Sequence, residues 1–271
     1  MEWTVMLNVF SANLAGVLLL FVSAWALSVA LRDAGIIDVF WGLGFVMAAW
    51  ISALTGDGWI GRKVLVTSLT TCWGLRLSIH IFLRNRGRGE DPRYQAFRRR
   101  GGDRFWLSSL WNIFLLQAVL LLVIASPVMI AQADPAPGHL SWMDVAGTLL
   151  WTVGFIFEAL GDLQLKCFLS EPANHGRVMR YGLWAWTRHP NYFGESLVWW
   201  GIFLIALATP FGAATIVGPA LITFLLLRVS GVTMLEEGLK TRRRGYVGYV
   251  RTTSAFFPLP PRKKQMKTNN F

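Results

Sequence analysis

Seven stretches of the chain are long and apolar enough to cross a lipid bilayer as helices. A spanning helix needs about 20 mostly apolar residues. Hydrophobic residues make up 54% of the 271 residues and charged residues 15%, whereas an average soluble domain carries about 25% charged residues. We therefore predict an all-α, polytopic membrane protein with one membrane domain over residues 1–271. The predicted spans cover residues 7–31, 36–55, 63–84, 106–131, 143–169, 190–209 and 211–228.

The basic residues are concentrated on alternate loops, which predicts the orientation of the helices. The chain carries 26 lysines and arginines and 15 acidic residues. All basic residues except Arg62, Lys63 and Arg76 lie on one side if the N-terminus is outside. Basic loops stay in the cytoplasm, so we expect the N-terminus outside and the C-terminus in the cytoplasm. A bacterial inner membrane, the first choice, and an endoplasmic reticulum membrane both satisfy this orientation. This charge can serve topology alone, or it can also bind anionic lipid or phosphates.

Ionisable side chains inside the predicted spans mark candidate functional positions, because charge is costly there. Asp38 and Trp41 lie one turn apart in the second span, and Arg76 lies near the middle of the third, four residues before His80. Arg76 can belong to a structural ion pair, with Asp38 or another acid, or it can orient a substrate. The two cysteines lie in separate apolar stretches and form no metal-binding pattern, so we expect no metal site.

A stripe of charged residues ends the fifth predicted span. Glu158, Asp162 and Lys166 recur every four residues and therefore share one helix face. The stripe can be an intrahelical ladder of ion pairs. It can equally line a cavity that opens to the cytoplasm.

The densest polar run, RHPNYFGE at residues 188–195, begins the sixth predicted span. Pro190 suits the first turn of a helix. Asn191 and Glu195 would then lie one turn apart on the same face. Gly194 permits another backbone or a flat ligand to approach closely.

The residue types around this run predict a phosphorylated cofactor that carries a ribose or an amide. No glycine-rich nucleotide-binding motif of the known kinds is present. Asp162, Asn191 and Glu195 can hold ribose hydroxyls or an amide, and guanidinium groups suit phosphates. Five arginines are expected on the cytoplasmic side: Arg86, Arg88, Arg177, Arg180 and Arg188. Nucleic acid is not expected, because the basic residues are spread over three membrane-bounded segments without a binding motif.

The run at 188–195, preceded by YGLW at 181–184, resembles the C-terminal domain of the steroid 5α-reductase family and, more closely, its uncharacterised bacterial branch. The similarity extends from about residue 144 to 258, and NRGR at 85–88 resembles a second motif of that family. The resemblance implies a seven-helix membrane enzyme that binds NADPH. It also implies hydride transfer to the β-carbon of a conjugated enone, with a 3-oxo-Δ4 steroid as the typical substrate.

The resemblance assigns roles to individual residues. Asn191 and Glu195 match residues that contact the nicotinamide half of the cofactor, and Arg88 and Arg177 match residues that contact its phosphates. The C-terminal region around Glu236, Glu237, Lys240, Arg242, Tyr246 and Tyr249 is expected to contribute further contacts. The complete predicted cofactor set is Arg86, Arg88, Glu158, Asp162, Lys166, Arg177, Arg180, Trp184, Arg188, His189, Asn191, Glu195 and Tyr246.

The chain departs from the family pattern at two places. Relatives commonly have Asn where this chain has Glu158. Known members use a glutamate on the second helix and a tyrosine on the third, but this chain has no glutamate in its second span and no tyrosine before Tyr94. We therefore take Asp38 as the hypothetical proton donor, with Trp41 and Arg76 orienting the substrate carbonyl.

Two other classes of function stay open. Integral-membrane isoprenylcysteine and phospholipid methyltransferases share the Arg-His-Pro-Asn-Tyr pattern and bind S-adenosylmethionine in a similar cytoplasmic cavity. The extra spans, the motif at 85–88 and the arginines favour the reductase, because S-adenosylmethionine carries no phosphate. The non-enzyme alternative is a small channel or transporter, or a lipid-binding scaffold. A transporter would be expected to show internal repeats, and none is evident in the sequence.

For the reductase we expect residues 1–131 on the substrate side, where a hydrophobic substrate enters from the bilayer lipid. Residues 143–258 are expected on the cofactor side, followed by a basic tail at 259–271. No obligate protein partner is evident.

Overall fold

Helices make up the regular structure of the protein. The structure is a computed structural model and describes residues 3–229, 232, 236, 238–239, 243 and 245–261. Within these ranges the β pairing consists of one isolated bridge, between Thr187 and Ser254. The predicted all-α class is therefore confirmed. The predicted contacts of Glu237, Lys240 and Arg242, and most of the basic tail, lie outside the described residues.

The α-helices are numbered in chain order. They are α1 (Trp3–Leu31), α2 (Ile37–Thr55), α3 (Ile60–Asn85), α4 (Pro92–Gly101), α5 (Phe105–Ser109), α6 (Leu116–Ile124), α7 (Ser126–Ala133), α8 (Trp142–Ser170), α9 (Pro190–Ala206), α10 (Val217–Phe224) and α11 (Tyr246–Thr252). Wider π-helical turns join α5 to α6 at Leu110–Leu115 and follow α10 at Leu225–Val229.

Six helical runs in the described part of the chain are long and apolar enough to cross a membrane, as in a multi-pass membrane protein. They are Trp3–Leu31, Ala34–Thr55, Ile60–Asn85, Pro92–Ile124, Trp142–Ser170 and Gly212–Val229. These runs correspond to six of the seven predicted spans. The remaining prediction, 190–209, corresponds to α9, which is shorter because it ends at Ala206 and has 17 residues.

The predicted fourth span, 106–131, is not one uninterrupted helix. The run that begins at Pro92 ends at Ile124, and α7 begins at Ser126. Pro127 lies in the first turn of α7. Proline has no N–H group and its ring clashes with the preceding turn, so it favours a new helix start over continuation.

The chain divides into two compact units, each of which combines two segments. Unit 1 contains residues 1–148 and 202–218, and unit 2 contains residues 149–201 and 219–271. Most of α1 to α7 and the first turns of α8 therefore belong to unit 1. The greater part of α8 and of α9, together with α11, belongs to unit 2.

Small residues allow α2 and α3 of unit 1 to pack with their backbones in contact. A Cβ added to Gly42 would lie 2.5 Å from the carbonyl oxygen of Gly74. Helices in lipid associate through such close approaches of small residues. The buried side chains of Phe45 and Trp73, with ring centroids 5.5 Å apart, extend this contact.

A buried ion pair fixes the start of α8 in unit 1. The Arg62 Nε donates to Asp144 Oδ1 at 2.8 Å, and both side chains are at most 1% exposed. The hydroxyl and the backbone amide of Ser141 donate to the other carboxylate oxygen. Arg62, which the charge pattern placed in an outer loop, is thus part of the core of unit 1.

Candidate active site

In unit 2 the polar start of α9 packs directly against the backbone of α8. A Cβ added to Gly194 would lie 2.4 Å from the backbone nitrogen of Glu158, and one added to Gly154 would lie 2.6 Å from the carbonyl oxygen of Gly194. The close approach predicted for Gly194 is therefore confirmed, and its partner is the backbone of α8. This contact fixes the register between the two helices.

That register brings together the polar residues predicted on α8 and α9. The Asn191 Nδ2 donates to Asp162 Oδ1 at 3.1 Å. The Asn191 Oδ1 is buried and accepts no hydrogen bond from any described residue. Glu158, one turn before Asp162, is buried, whereas Glu195 is half-buried. Lys166, at the far end of the stripe, is exposed.

Arg188 anchors the C-terminal part of unit 2. Its Nε donates to Glu236 Oε1 at 2.6 Å, and its Nη2 donates to Glu236 Oε2 at 3.2 Å. Its Nη1 donates to the carbonyl oxygens of Val250 and Thr253 at 3.0 and 2.5 Å. The Arg188 guanidinium, which was predicted to bind cofactor phosphates, thus donates most of its hydrogen bonds to other groups of the protein.

His189 shares the Glu236 carboxylate with Arg188. Its Nε2 lies 3.2 Å from Glu236 Oε1, and its ring stacks on Tyr192 with centroids 5.3 Å apart. Burial would raise the pKa of Glu236, but the hydrogen bonds from His189 and Arg188 outweigh burial and lower the pKa to about 2. Glu236 is therefore an ionised anchor at neutral pH. The His189 Nδ1 is buried and has no hydrogen-bond partner in the described ranges.

Trp184 and Tyr246 lie inside unit 2. The Trp184 Nε1 donates to the carbonyl oxygen of Gly161 at 3.0 Å, and the Trp184 carbonyl oxygen accepts from the Tyr249 hydroxyl. Burial and the nearby Glu236 carboxylate raise the pKa of Tyr246 to about 12. Trp184 thus links the segment before α9 to α8 and to α11.

The predicted phosphate ligands of unit 2 lie at its surface. Arg177 and Arg180 are exposed. The Arg180 Nη2 donates to the carbonyl oxygen of Gly245 at 2.5 Å, and its guanidinium lies 5.6 Å from the centre of the Tyr249 ring. The backbone oxygen of Arg177 accepts from Arg243. The Arg177 guanidinium forms no hydrogen bond with a described residue.

Unit 1 contains a second acid cluster, centred on Asp38. Its Oδ1 accepts from the Tyr94 hydroxyl at 2.6 Å, and its Oδ2 accepts from Arg93 Nη2 at 2.8 Å. Arg93 also bonds Asp91. Both carboxylate oxygens of Asp38 therefore accept hydrogen bonds from residues of α4.

Sequence reasoning missed Tyr94 and Arg93 as partners of Asp38. They lie 56 and 55 residues away in the chain. The available signal was that Tyr94 is the first tyrosine of the sequence and follows the motif at 85–88. Trp41, the other predicted residue on α2, packs edge-on against Phe45 with centroids 5.2 Å apart. Arg76 is half-buried on α3.

Arg86 and Arg88 lie in the loop that joins α3 to α4 in unit 1, and both are exposed. Gly87 and Gly89 alternate with them and have φ angles of 77° and 70°. These left-handed conformations favour glycine and turn the loop away from the helix axis. In the part of the chain that the structure describes, no group of three or more His, Cys, Asp or Glu residues is arranged to hold a metal ion.

Comparison with known proteins identifies the family but not the activity. The sequence profile of a family described as a protein of unknown function, DUF1295, matches residues 24–253. An uncharacterised protein of Schizosaccharomyces pombe is 27% identical over 194 residues, which cover 61% of this chain and 51% of the yeast protein. The chain therefore spans about half the length of that relative. No solved structure is significantly similar. The chain belongs to the DUF1295 family.

Proposed function

We propose that this DUF1295 protein is an NADPH-dependent reductase that reduces the C=C bond of a conjugated enone in a hydrophobic substrate, with a 3-oxo-Δ4 steroid as the first candidate. The family includes steroid 5α-reductase-like members. The motifs at 85–88 and 181–195 support the same assignment. Bound NADPH would supply the hydride. The residues of the chain would bind the cofactor, orient the substrate and protonate the carbonyl oxygen of the enone.

The observation that carries the proposal is the Asn191–Asp162 pair. Asp162 holds the amide nitrogen of Asn191, which orients the Asn191 Oδ1 as an acceptor without a donor from the described residues. A buried carbonyl oxygen is costly to leave without a hydrogen bond. The carboxamide of a nicotinamide ring offers the N–H donors that such an oxygen needs. Glu195, one turn further along α9, would contact the same half of the cofactor.

The exposed arginines would hold the cofactor phosphates. Arg177 and Arg180 of unit 2 are exposed and suit phosphate oxygens. Lys166 adds a positive charge at the end of α8. Arg188 and His189 would act indirectly, because their bonds to Glu236 position the start of α9. They are therefore positioning residues in this proposal.

We assign the proton donor to Tyr94 rather than to Asp38. The residue Tyr94 is 5% exposed, and its hydroxyl oxygen lies 2.6 Å from Asp38 Oδ1. A phenol retains its proton at neutral pH and can donate it to a carbonyl oxygen that gains negative charge. Asp38, fixed by Arg93, holds the Tyr94 oxygen in place, and the O–H would turn from the Asp38 carboxylate to the substrate carbonyl when substrate binds. Trp41 and Arg76 would contact the substrate carbonyl, as the sequence predicts.

The proposal includes the membrane topology predicted from the basic loops. With α9 counted as a seventh span, the N-terminus is outside and the C-terminus is cytoplasmic. The arginine-bearing loops then face the compartment that contains NADPH, in the bacterial inner membrane. The hydrophobic substrate enters from the bilayer.

A deuterium-transfer assay tests this function. The purified protein in lipid vesicles is incubated with NADPH deuterated at C4 of the nicotinamide and with a panel of 3-oxo-Δ4 steroids and other apolar enones. We expect deuterium at the β-carbon of a reduced product. Asn191→Ala should abolish transfer, whereas Asn8→Ala, at an exposed position on α1, should leave it unchanged. Transfer of a labelled methyl group from S-adenosylmethionine, without deuterium transfer, would establish a methyltransferase instead.

A further inference from the structure

The arginines of α4 and of the turn after it divide into two groups. Arg93 and Arg98 are neutralised by acids, since Arg93 bonds Asp38 and Arg98 bonds both oxygens of Glu90 at 2.7 and 2.9 Å. The second group is exposed and has no hydrogen bond or ion pair with any described residue. Its members are Arg99, Arg100 and Arg104.

Large apolar side chains are exposed beside these arginines. Phe97, Trp106 and Leu107 are 45%, 52% and 44% exposed. The backbone at Trp106 is fixed, because its carbonyl oxygen accepts from the Trp25 Nε1 at 2.7 Å. Arginine mixed with exposed aromatic and aliphatic side chains is typical of the interface between headgroups and acyl chains.

This segment precedes the strongly apolar part of the Pro92–Ile124 run. Gly102 ends α4 with a φ of 53°, which interrupts the helix before Phe105. The strongly apolar sequence begins only at Phe105 and continues to Ile124. The segment from Arg84 to Arg104 carries eight arginines and three acids. Excess positive charge directly beside a span attracts the anionic lipids of the adjacent leaflet.

We propose that residues 97–107 form a docking surface for the headgroups of anionic phospholipids. Arg99, Arg100 and Arg104 bind the phosphodiester, and Phe97, Trp106 and Leu107 pack against the upper acyl chains. The first turn of the same helix carries Arg93 and Tyr94, both of which hold Asp38. Lipid bound to α4 would therefore stabilise the Asp38 cluster. The inference concerns lipid binding and is independent of the proposed reductase activity.

Spin-label electron paramagnetic resonance on the full-length protein tests this surface. The protein is reconstituted in phosphatidylcholine vesicles that contain a trace of spin-labelled phosphatidylglycerol or spin-labelled phosphatidylcholine. The immobilised fraction gives the preference for the anionic lipid. Arg99→Gln/Arg100→Gln should lower that preference at least about fivefold, with an upper bound of about 30-fold for two arginines at a membrane surface. Arg32→Gln/Arg228→Gln, which removes two other exposed arginines, should leave it unchanged.

Further variants make the test decisive. Arg99→Lys/Arg100→Lys should retain the preference, which would show that charge and not folding is responsible for the loss in the glutamine variant. Equal loss in the Arg32 and Arg228 control would overturn the proposal, because net charge alone would then explain binding. So would the absence of any lipid preference in the unmodified protein. Displacement of the anionic lipid by inorganic pyrophosphate would also overturn it, because the surface would then bind soluble phosphates.

Discussion

Each of the two acid clusters of the molecule pairs a carboxylate with an arginine and an aromatic side chain, but the arginines differ in exposure. In unit 1 Asp38 is held by Arg93 and Tyr94; in unit 2 Glu236 is held by Arg188 and His189. The Arg93 side chain is 40% exposed, whereas that of Arg188 is 8% exposed. Water can replace a partner at the first cluster but not at the second. The Asp38 cluster can therefore exchange partners with a ligand, while the Glu236 cluster is a fixed support.

Removal of the arginine should have very different consequences in the two clusters. Arg188→Ala leaves a buried carboxylate and two backbone carbonyl groups without their donor, which should cost about 3–5 kcal/mol in the free energy of unfolding. Arg93→Ala leaves Asp38 accessible to water and should cost at most about 1 kcal/mol. Thermal unfolding of both variants in detergent measures the difference. Equal losses would mean that the two clusters do not differ in exposure as described.

The functional difference between the clusters should appear in turnover. Tyr94→Phe removes the proposed proton donor without changing the volume of the side chain, and should lower kcat by about 100-fold or more. Asp38→Asn should lower kcat less, because Asp38 only holds the Tyr94 oxygen in place. Tyr181→Phe changes a residue that is 70% exposed and serves as the control. Full activity of Tyr94→Phe, together with unchanged NADPH affinity, would remove Tyr94 from the mechanism.

The contact between α8 and α9 should be sensitive to a single methyl group. Gly194→Ala would place a Cβ 2.4 Å from the backbone nitrogen of Glu158, and separation of the helices should cost about 1–3 kcal/mol. Gly248→Ala is the matched control, because nothing lies within 4 Å of its added Cβ. We expect Gly248→Ala to be neutral or to stabilise α11 by up to about 1 kcal/mol. A tolerated Gly194→Ala would contradict the packing of unit 2.

The Glu236 anchor should give a specific dependence on pH. The pKa of Glu236 is lowered in the folded protein from 4.5 to about 2. Its ionised form therefore stabilises the fold above pH 4.5, and this stabilisation is lost as the pH falls from there towards 2. The difference in the free energy of unfolding between the unmodified protein and Glu236→Gln should shrink over that interval. Glu171→Gln, which removes an exposed carboxyl, should show a constant difference.

Local features of the sequence predicted most of the helices. Long apolar runs have few alternatives in a bilayer, so α1, α2, α3 and α8 lie close to the predicted bounds. The close approach at Gly194 was also predictable, because a glycine at a helix contact has a direct physical meaning. The interruption at Ala125 was not predicted, although Pro127 provided the signal.

The partners of the charged residues were not predictable from the sequence. Arg188 was expected on phosphates because an arginine in a cytoplasmic loop suits an anion. Its carboxylate partner, Glu236, lies 48 residues away in the chain. Which acid reaches which arginine depends on the packing of distant segments, and no spacing rule describes that. The pairing of Asp38 with Tyr94 and Arg93 was missed for the same reason.

The central claim is that the protein binds NADPH, and parallel thermal unfolding tests it most directly. The detergent-purified protein is heated with NADPH, with NADH and with S-adenosylmethionine. A ligand that binds only the native state at 100 times its Kd adds about 2.7 kcal/mol of stability. We predict a clear rise in Tm with NADPH, a smaller rise with NADH, no rise with S-adenosylmethionine, and loss of the NADPH effect in Asn191→Ala. A rise with S-adenosylmethionine alone, or no rise with any of the three, would contradict the account.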